Sequence, residues 1–344
     1  MAVASASRAN SDYGQFMDQV KDMSLFPLWE RVGGLKPGSK CVPAHWSYDA
    51  VRPHLMRACE MVTKKEASRR VLCLENPSLR GTTFVCDSLF AGLQIIMPGE
   101  VAPSHRHTPS ALRFIVEGEG AYTAVAGEKL PMQPGDFVVT PAWAWHDHGN
   151  LGSTPVVWLD GLDTPFARFF GAAFYEPYPQ DTQPLDRPEG ESISVYGMNL
   201  IPDEFHSDGH STPVLIYPYE RTRAGLDSLV RASKPHPAHG YRLRYANPAT
   251  GKHPFPTMAV SMQRLPAGFA GETYRSTGSA VYAVHRGSGQ AKVGDETFAI
   301  KTHDVFVVPP WVPYSFAIDS DTELFSYSDR AGQEALGYWR EQIG

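Results

Sequence analysis

The chain repeats itself, and the repeat limits what it can fold into. His105-Arg106-His107-Thr108-Pro109-Ser110-Ala111-Leu112-Arg113 aligns with Tyr274-Arg275-Ser276-Thr277-Gly278-Ser279-Ala280-Val281-Tyr282. Further on, Gly118-Glu119-Gly120 aligns with Gly287-Ser288-Gly289. Asp136-Phe137-Val138-Val139-Thr140-Pro141-Ala142-Trp143 aligns with Asp304-Val305-Phe306-Val307-Val308-Pro309-Pro310-Trp311. Blocks that recur in the same order point to two copies of one structural unit. Both copies are built from short β-rich runs separated by Gly and Pro. Examples are Val71–Leu74, Thr82–Cys86 and Leu93–Met97. Many short strands with regular turn signals predict an all-β sandwich or barrel carrying a few helices.

Around the two copies the pattern changes. Residues 1–68 read as an N-terminal helical and anchor segment. Tyr13, Phe16, Met17, Val20 and Met23 follow a helical period, Ser11-Asp12 offers caps, and Phe26-Pro27-Leu28-Trp29 forms a short anchor. The first β-rich unit covers 69–175. A connector over 176–255 begins polar and Pro-rich and contains a helix-like stretch from Pro218 to Ser233. The second unit, 256–344, ends in an expected closing helix with Leu336, Trp339 and Ile343 on one face.

At 344 residues the chain can bury a sizeable core. Its formal charge of -6 argues against nucleic acid as the main partner, because phosphate neutralisation needs a basic surface. The longest apolar runs, such as Val305–Val308, are strand-sized and far short of a membrane span. The first residues lack a basic stretch followed by an apolar core, so a cytoplasmic location is expected. Cys41, Cys59, Cys73 and Cys86 form no CxxC pair and are expected as free thiols.

The two copies share their scaffold but not their chemistry. His105, His107 and His146 of the first become Tyr274, Ser276 and Tyr314 in the second. If the histidines served only folding, the second copy should retain some. His105 and His107 are two apart, so on a strand they share a face. With His146 they make a three-imidazole divalent-metal site with open coordination positions, suited to Fe, Zn, Cu or Ni. The second copy is expected to be metal-free and to serve structure and assembly. The remaining histidines, among them His45, His239, His253, His285 and His303, are expected as ordinary surface or core residues.

Gly99, five residues, His105, one residue, His107 is the first half of the cupin signature. Its second half runs Gly135, Pro141, Trp143, His146 and Asn150, with Trp143 at a usual Gly. The fourth ligand, usually Glu, is missing, and Arg113 stands near its place. A guanidinium cannot ligate a metal but can hold a carboxylate through a bidentate fork. Together with Ser110-Ala111-Leu112-Arg113-Phe114 and Trp143-Ala144-Trp145-His146-Asp147-His148-Gly149-Asn150, these motifs resemble the gentisate 1,2-dioxygenase family, over nearly the whole chain. That family of ring-cleaving dioxygenases includes the salicylate and 1-hydroxy-2-naphthoate enzymes.

The resemblance implies a bicupin: two double-stranded β-helix, or jelly-roll, barrels in one chain. It implies one Fe(II) per chain on His105, His107 and His146, O2 as co-substrate and no organic cofactor. The expected substrate is a small aromatic 2-hydroxy acid that chelates iron through carboxylate and phenolate. O2 is inserted between the carboxyl-bearing C1 and the hydroxyl-bearing C2, converting gentisate to maleylpyruvate. Salicylate, nitro- or halosalicylates and 1-hydroxy-2-naphthoate are the alternatives; a non-catalytic aromatic-acid-binding or metal-storage cupin is a different class. By the same resemblance Arg113 and Arg69 anchor the substrate, with Arg70 a neighbouring competitor for the second role. Gln94, Gly92 and Phe90 face the pocket, Phe90 at a site that is Trp in several relatives. His148 is a polar or acid–base group toward substrate or oxygen. Asp160 fixes orientation from behind the ligands, with Asp163 as its competitor, and a homotetramer is the expected assembly.

Overall fold

The computed structural model describes residues 11–31, 37–63, 66, 68–198, 200–207 and 209–344. Lys64-Lys65, whose charges suit a solvated face, lies outside them. Residues 11–31 belong to a small unit of their own. Its helix α1 (Ser11–Asp22) covers the predicted period, with Ser11 already inside the helix. Phe16 stacks on Trp29 at 6.4 Å, and the Trp29 indole donates to the Tyr13 hydroxyl at 3.0 Å.

The remainder, from Gly38, carries both repeats. A lead-in of β1 (Ala44–Trp46) and α2 (Tyr48–Met61) precedes the first barrel. That barrel comprises β2 (Arg70–Cys73), β3 (Phe90–Ile96), β4 (Val101–His107), β5 (Ala111–Glu117), β6 (Ala121–Val125), β7 (Glu128–Pro131), β8 (Phe137–Thr140), β9 (His146–Asn150) and β10 (Val156–Leu162). Then come α3 (Thr164–Phe169), β11 (Tyr175–Pro177), α4 (Glu191–Tyr196), β12 (Ile216–Tyr217) and α5 (Tyr219–Ala232). The second barrel has β13 (Tyr241–Arg244), β14 (Ala259–Leu265), β15 (Tyr274–Ser276), β16 (Ala280–Arg286), β17 (Ser288–Val293), β18 (Glu296–Lys301), β19 (Val305–Val308), β20 (Tyr314–Ile318) and β21 (Thr322–Ser328). It closes with α6 (Arg330–Ala335) and β22 (Glu341–Ile343).

All strand pairs are antiparallel. The first barrel is a six-stranded sheet in the order β12-β8-β5-β10-β3-β2 with a five-stranded sheet β11-β4-β9-β6-β7. The second has the matching orders β1-β19-β16-β21-β14-β13 and β18-β17-β20-β15-β22. The fold is a bicupin, as the motifs imply.

The barrels exchange elements reciprocally. β1 precedes the first barrel yet pairs with β19 of the second; β12 precedes the second yet pairs with β8 of the first. The repeated aspartates lock this exchange. Asp304 accepts the Tyr48 backbone N–H at the start of α2 at 2.9 Å, and Asp136 accepts the Tyr219 N–H at the start of α5 at 2.8 Å. A carboxylate at a helix N-terminus meets unpaired N–H groups and the positive end of the dipole. A second pair repeats the device. Asp163 and Asp329 accept the Ser110 and Ser279 N–H groups at 2.7 and 3.1 Å. Asp163 also takes the Thr257 hydroxyl of the opposite barrel, while Asp329 takes that of Ser88. The main core lies between the barrels, where Phe114 stacks on Phe325 at 4.1 Å. Such a pair contributes about 0.5–1.5 kcal/mol beyond its buried area.

Trp143, at the usual glycine of the signature, has φ 62°, and Trp311 at the same place in the repeat has φ 63°. Both occupy the left-handed region that favours glycine. Each is held by its neighbours: Arg106 lies 4.4 Å over the Trp143 ring and Arg275 lies 4.9 Å over the Trp311 ring.

Two local expectations fail. Thr82–Cys86 is not a strand: Asn76 Nδ2 donates to the Val85 carbonyl, Glu75 accepts the Gly81 and Thr83 N–H groups, and the segment is thereby looped. The closing helix is only Arg330–Ala335. Gly337 at φ 75° ends it, and the chain then extends as β22 along the open edge of β15.

Candidate metal centre

β4 and β9 lie side by side with His105 opposite His146, and an irregularity in register between Ala102 and His105. Strand alternation puts His107 on the face of His105. The ring centroids are 4.0 Å (His105–His146), 4.8 Å (His107–His146) and 5.3 Å (His105–His107) apart. One ligand nitrogen from each of the three comes within 4.8 Å of the others.

The opposite nitrogens explain the aim. His107 Nδ1 lies 2.7 Å from the Pro109 carbonyl, His146 Nδ1 2.9 Å from that of Ala144 and His105 Nδ1 3.3 Å from that of Pro103. A carbonyl only accepts, so the Nδ1 atoms of His107 and His146 donate and their Nε2 atoms present lone pairs, while His105 Nδ1 lies between the Pro103 carbonyl and the Arg69 guanidinium. His146 Nε2 is buried with no hydrogen-bond partner among the described residues. Burial holds His146 well below its ordinary range and lowers His107 to about 4. Burial also lowers His105, with the Arg69 charge next. Three neutral, converging imidazoles with an unsatisfied nitrogen fit a divalent metal.

A cavity of about 280 Å³ opens beside His105 and His107, walled also by Gln94, Phe90, Arg69, Arg113 and Asp160 among others, with His146 behind the wall. Arg113, 3% exposed on β5, faces Asp160 across the strand pair, with Nε 3.5 Å from Oδ1. Its other arm donates to the Thr140 hydroxyl. Asp160 also accepts the Trp158 indole N–H at 3.0 Å. Burial pushes Asp160 up to about 6 against the pull of Arg113, and pushes Arg113 down to about 10. With neutral histidines the pocket therefore holds Arg69, Arg113 and, at its rim, Arg168 against Asp160, a surplus of positive charge.

The structure separates the neighbours that sequence left open. Arg69 enters the cavity and contacts His105 Nδ1, whereas Arg70 turns away into a two-bond pair with Glu100 at 2.6 and 2.7 Å. Asp160 faces Arg113, whereas Asp163 is committed to Ser110 and Thr257. Gln94 and Phe90 line the cavity. Gly92 does not; a Cβ there would stand 2.6 Å from Val71 Cγ1 and 3.0 Å from Phe90 Cζ, so its bare Cα lets both close in. His148 lies off the cavity wall, deeper on β9, with Nδ1 2.8 Å from the Thr123 hydroxyl and Nε2 buried without a partner among the described residues. Sequence reasoning missed Tyr175, whose ring is 5.3 Å from His105, and Arg168 at the rim. Tyr175 sits on β11, opposite His107, at the join between the expected first unit and its connector.

Residues 92–161 match the cupin domain family. Over 330 residues the chain is 47% identical to gentisate 1,2 dioxygenase 1 of Aquipseudomonas alcaligenes, covering 95% of each. It is 38% identical over 321 residues to a 1-hydroxy-2-naphthoate 1,2-dioxygenase of Nocardioides sp., covering 92% of this chain and 82% of that one. A crystal structure of salicylate 1,2-dioxygenase from Pseudoaminobacter salicylatoxidans, with gentisate, superposes with a TM-score of 0.90 at 32% identity, covering 97% and 94% of the two chains. Fold and site together define a bicupin with a histidine metal centre in its first barrel, of the aromatic ring-cleaving dioxygenase class. The chain belongs to the gentisate 1,2-dioxygenase family, with its salicylate, hydroxynaphthoate and aminosalicylate relatives.

Proposed function

We propose that this dioxygenase cleaves gentisate to maleylpyruvate, using one Fe(II) per chain on His105, His107 and His146, with O2 as co-substrate and no organic cofactor. The reading rests on one arrangement: three converging imidazoles, two of them fixed by carbonyls, with the buried Arg113 lining the same cavity where cupins usually place a fourth ligand. The 47% identity to a gentisate enzyme supports the choice of ring. Bound Fe(II) supplies the electron path between an electron-rich ring and O2. Both oxygen atoms enter the product, and the C1–C2 bond breaks.

The protein's own part is positioning and charge. Arg113 receives the substrate carboxylate, and Asp160 holds the guanidinium across the strand pair. Arg69 is the second anchor. A guanidinium cannot accept a proton, so Arg69 cannot keep its contact with Nδ1 of a His105 that ligates through Nε2. Released, it is left facing the cavity. Phe90 and Tyr175 wall the pocket against bulk water. His148 acts from behind the ligands, its imidazole oriented by Thr123.

The test is anaerobic reconstitution with Fe(II), followed by O2 uptake with gentisate, salicylate, 5-nitrosalicylate and 1-hydroxy-2-naphthoate. Gentisate is expected to be turned over best; another acid in first place replaces the substrate assignment. No uptake with any of them in iron-loaded protein overturns the whole reading. His146→Ala should lose iron and turnover together.

A further inference from the structure

The duplication built two pockets. A cavity of about 610 Å³ opens on the second barrel, walled in part by positions that correspond to walls of the metal pocket on the first. There, Val71 and Cys73 of β2 pair with Gln94 and Gly92; here, Arg242 and Arg244 of β13 pair with Gln263 and Ser261. Tyr274 stands where His105 stands, and β22 runs along β15 as β11 runs along β4. Ala259 takes the place of Phe90, which helps to widen this second pocket.

Its chemistry is that of an anion site. Arg242, Arg244 and Arg330 line it against Glu341 as the one acidic side chain. Glu341 is already engaged, accepting the Tyr274 hydroxyl at 2.5 Å and lying 3.9 Å from Arg330. Arg244 donates to the Gly251 carbonyl, and Arg330 pairs with Glu334 at 2.7 Å. Among the described residues none hydrogen-bonds or ion-pairs with Arg242. His239, only 9% exposed, has a buried Nδ1 with no partner. Its ring meets that of Tyr274 edge-on at 4.4 Å, and burial, reinforced by Arg242, keeps it neutral. A buried polar nitrogen without a partner is destabilising, and a ligand group that pairs with it recovers that cost.

We propose that this cavity is a second, non-catalytic binding site for a small aromatic carboxylate. The Arg242 fork takes the carboxylate. The His239 and Tyr274 rings wall the aromatic ring, and His239 Nδ1 meets a ring hydroxyl. The first barrel's substrate is an acid of this class, so the second barrel holds substrate or a close analogue without a metal to act on it.

Equilibrium dialysis of the full chain, anaerobically and with salicylate as the probe, counts ligand per chain whether or not turnover occurs. Two salicylates bound per chain are expected at saturation. Arg242→Gln should halve the count while leaving O2 uptake unchanged, which also reports an intact fold. Ser261→Leu, which fills the cavity from the neighbouring strand, should halve it as well. A count of one in the wild-type chain, or of two in both variants, overturns the proposal. So does displacement of the second salicylate by an equal concentration of sulfate, which would mark a site for any anion.

Discussion

Replacing Arg113 by Met tests whether the missing fourth ligand has become a carboxylate anchor. Arg113 is 3% exposed and its Nε lies 3.5 Å from Asp160. Burial disfavours both charges more than they help each other: Arg113 falls to about 10 and Asp160 rises to about 6. The pair is short of compensation, and an incoming carboxylate supplies it. A hydrogen bond to a charged group contributes about 1.5–3 kcal/mol net. At 1.4 kcal/mol per tenfold this is about 10- to 150-fold in affinity. Asp160 already neutralises part of the guanidinium charge, so the lower part of that range is expected. In the variant Asp160 loses the cation that holds its pKa down, becomes more protonated at neutral pH, and adds little repulsion of its own.

The assay is competitive inhibition of O2 uptake by benzoate and by phenol, which differ in the carboxylate. Arg113→Met should weaken benzoate by the factor above and leave phenol within about twofold, well inside one 1.4 kcal/mol decade. Equal losses for both would mean that Arg113 only holds the barrel in shape. No loss for benzoate would place the carboxylate elsewhere. Stability gives an independent reading. Asp160→Asn leaves Arg113 buried without its acid and should cost about 3–5 kcal/mol in urea unfolding, most of it recovered in the Arg113→Met/Asp160→Asn double variant.

Two further outcomes are expected. Gly92→Ala places a methyl 2.6 Å from Val71 and 3.0 Å from Phe90, so one of them must move into the cavity. KM for bulky acids should rise more than for salicylate while iron content stays unchanged, and a uniform change across acids would contradict this steric account. His285 packs on Tyr219 at 4.3 Å, and burial lowers its pKa to about 4 from an ordinary 6.5. The unfolded chain takes up that proton first, so this contribution to stability is full above pH 6.5 and is lost as pH falls toward 4. His285→Phe should flatten the fall of the urea midpoint across that interval; an unchanged slope would remove the group from the acid limb.

Much of this architecture was legible because the repeat and the metal motif are dense in constrained residues. Gly135 shows why: at φ 89°, a side chain there would meet His285 and Tyr219 at 2.7 Å, so the signature glycine is required twice over. The element exchange was not legible. β1 and β12 are three and two residues long, too short to carry a period, and their partners lie in the opposite barrel. Helix α2 was hidden by Pro53 in its interior. Telling Arg69 from Arg70 and Asp160 from Asp163 by surroundings needed three dimensions, since like charges close in sequence differ only in where the fold carries them: Arg69 and Asp163 lie just beyond the ends of β2 and β10. The cavity beside His239 was invisible for a related reason. Its walls come from β13, β14, β15 and β22, and no local motif unites them.

The reciprocal locks explain how the second barrel could lose its metal residues yet stay indispensable. Asp304 caps α2, β19 pairs with β1, and Asp329 holds Ser88, all of which belong to the chain before or within the first barrel. Deleting the second barrel would leave those groups unpaired, so the first barrel's geometry depends on the second. Nothing in these locks involves the barrel interior. There, the positions of Arg113 and His146 are taken by Tyr282 and Tyr314, whose hydroxyls bond each other at 2.7 Å. Tyr282 also stacks on Phe306 at 5.0 Å and joins Phe316 in a packed aromatic interior. The ligands were thus exchanged for a hydrogen-bonded apolar plug beneath an open mouth. In the first barrel the same space keeps two charged residues short of compensation, an arrangement that stability alone does not favour and that a carboxylate ligand would relieve.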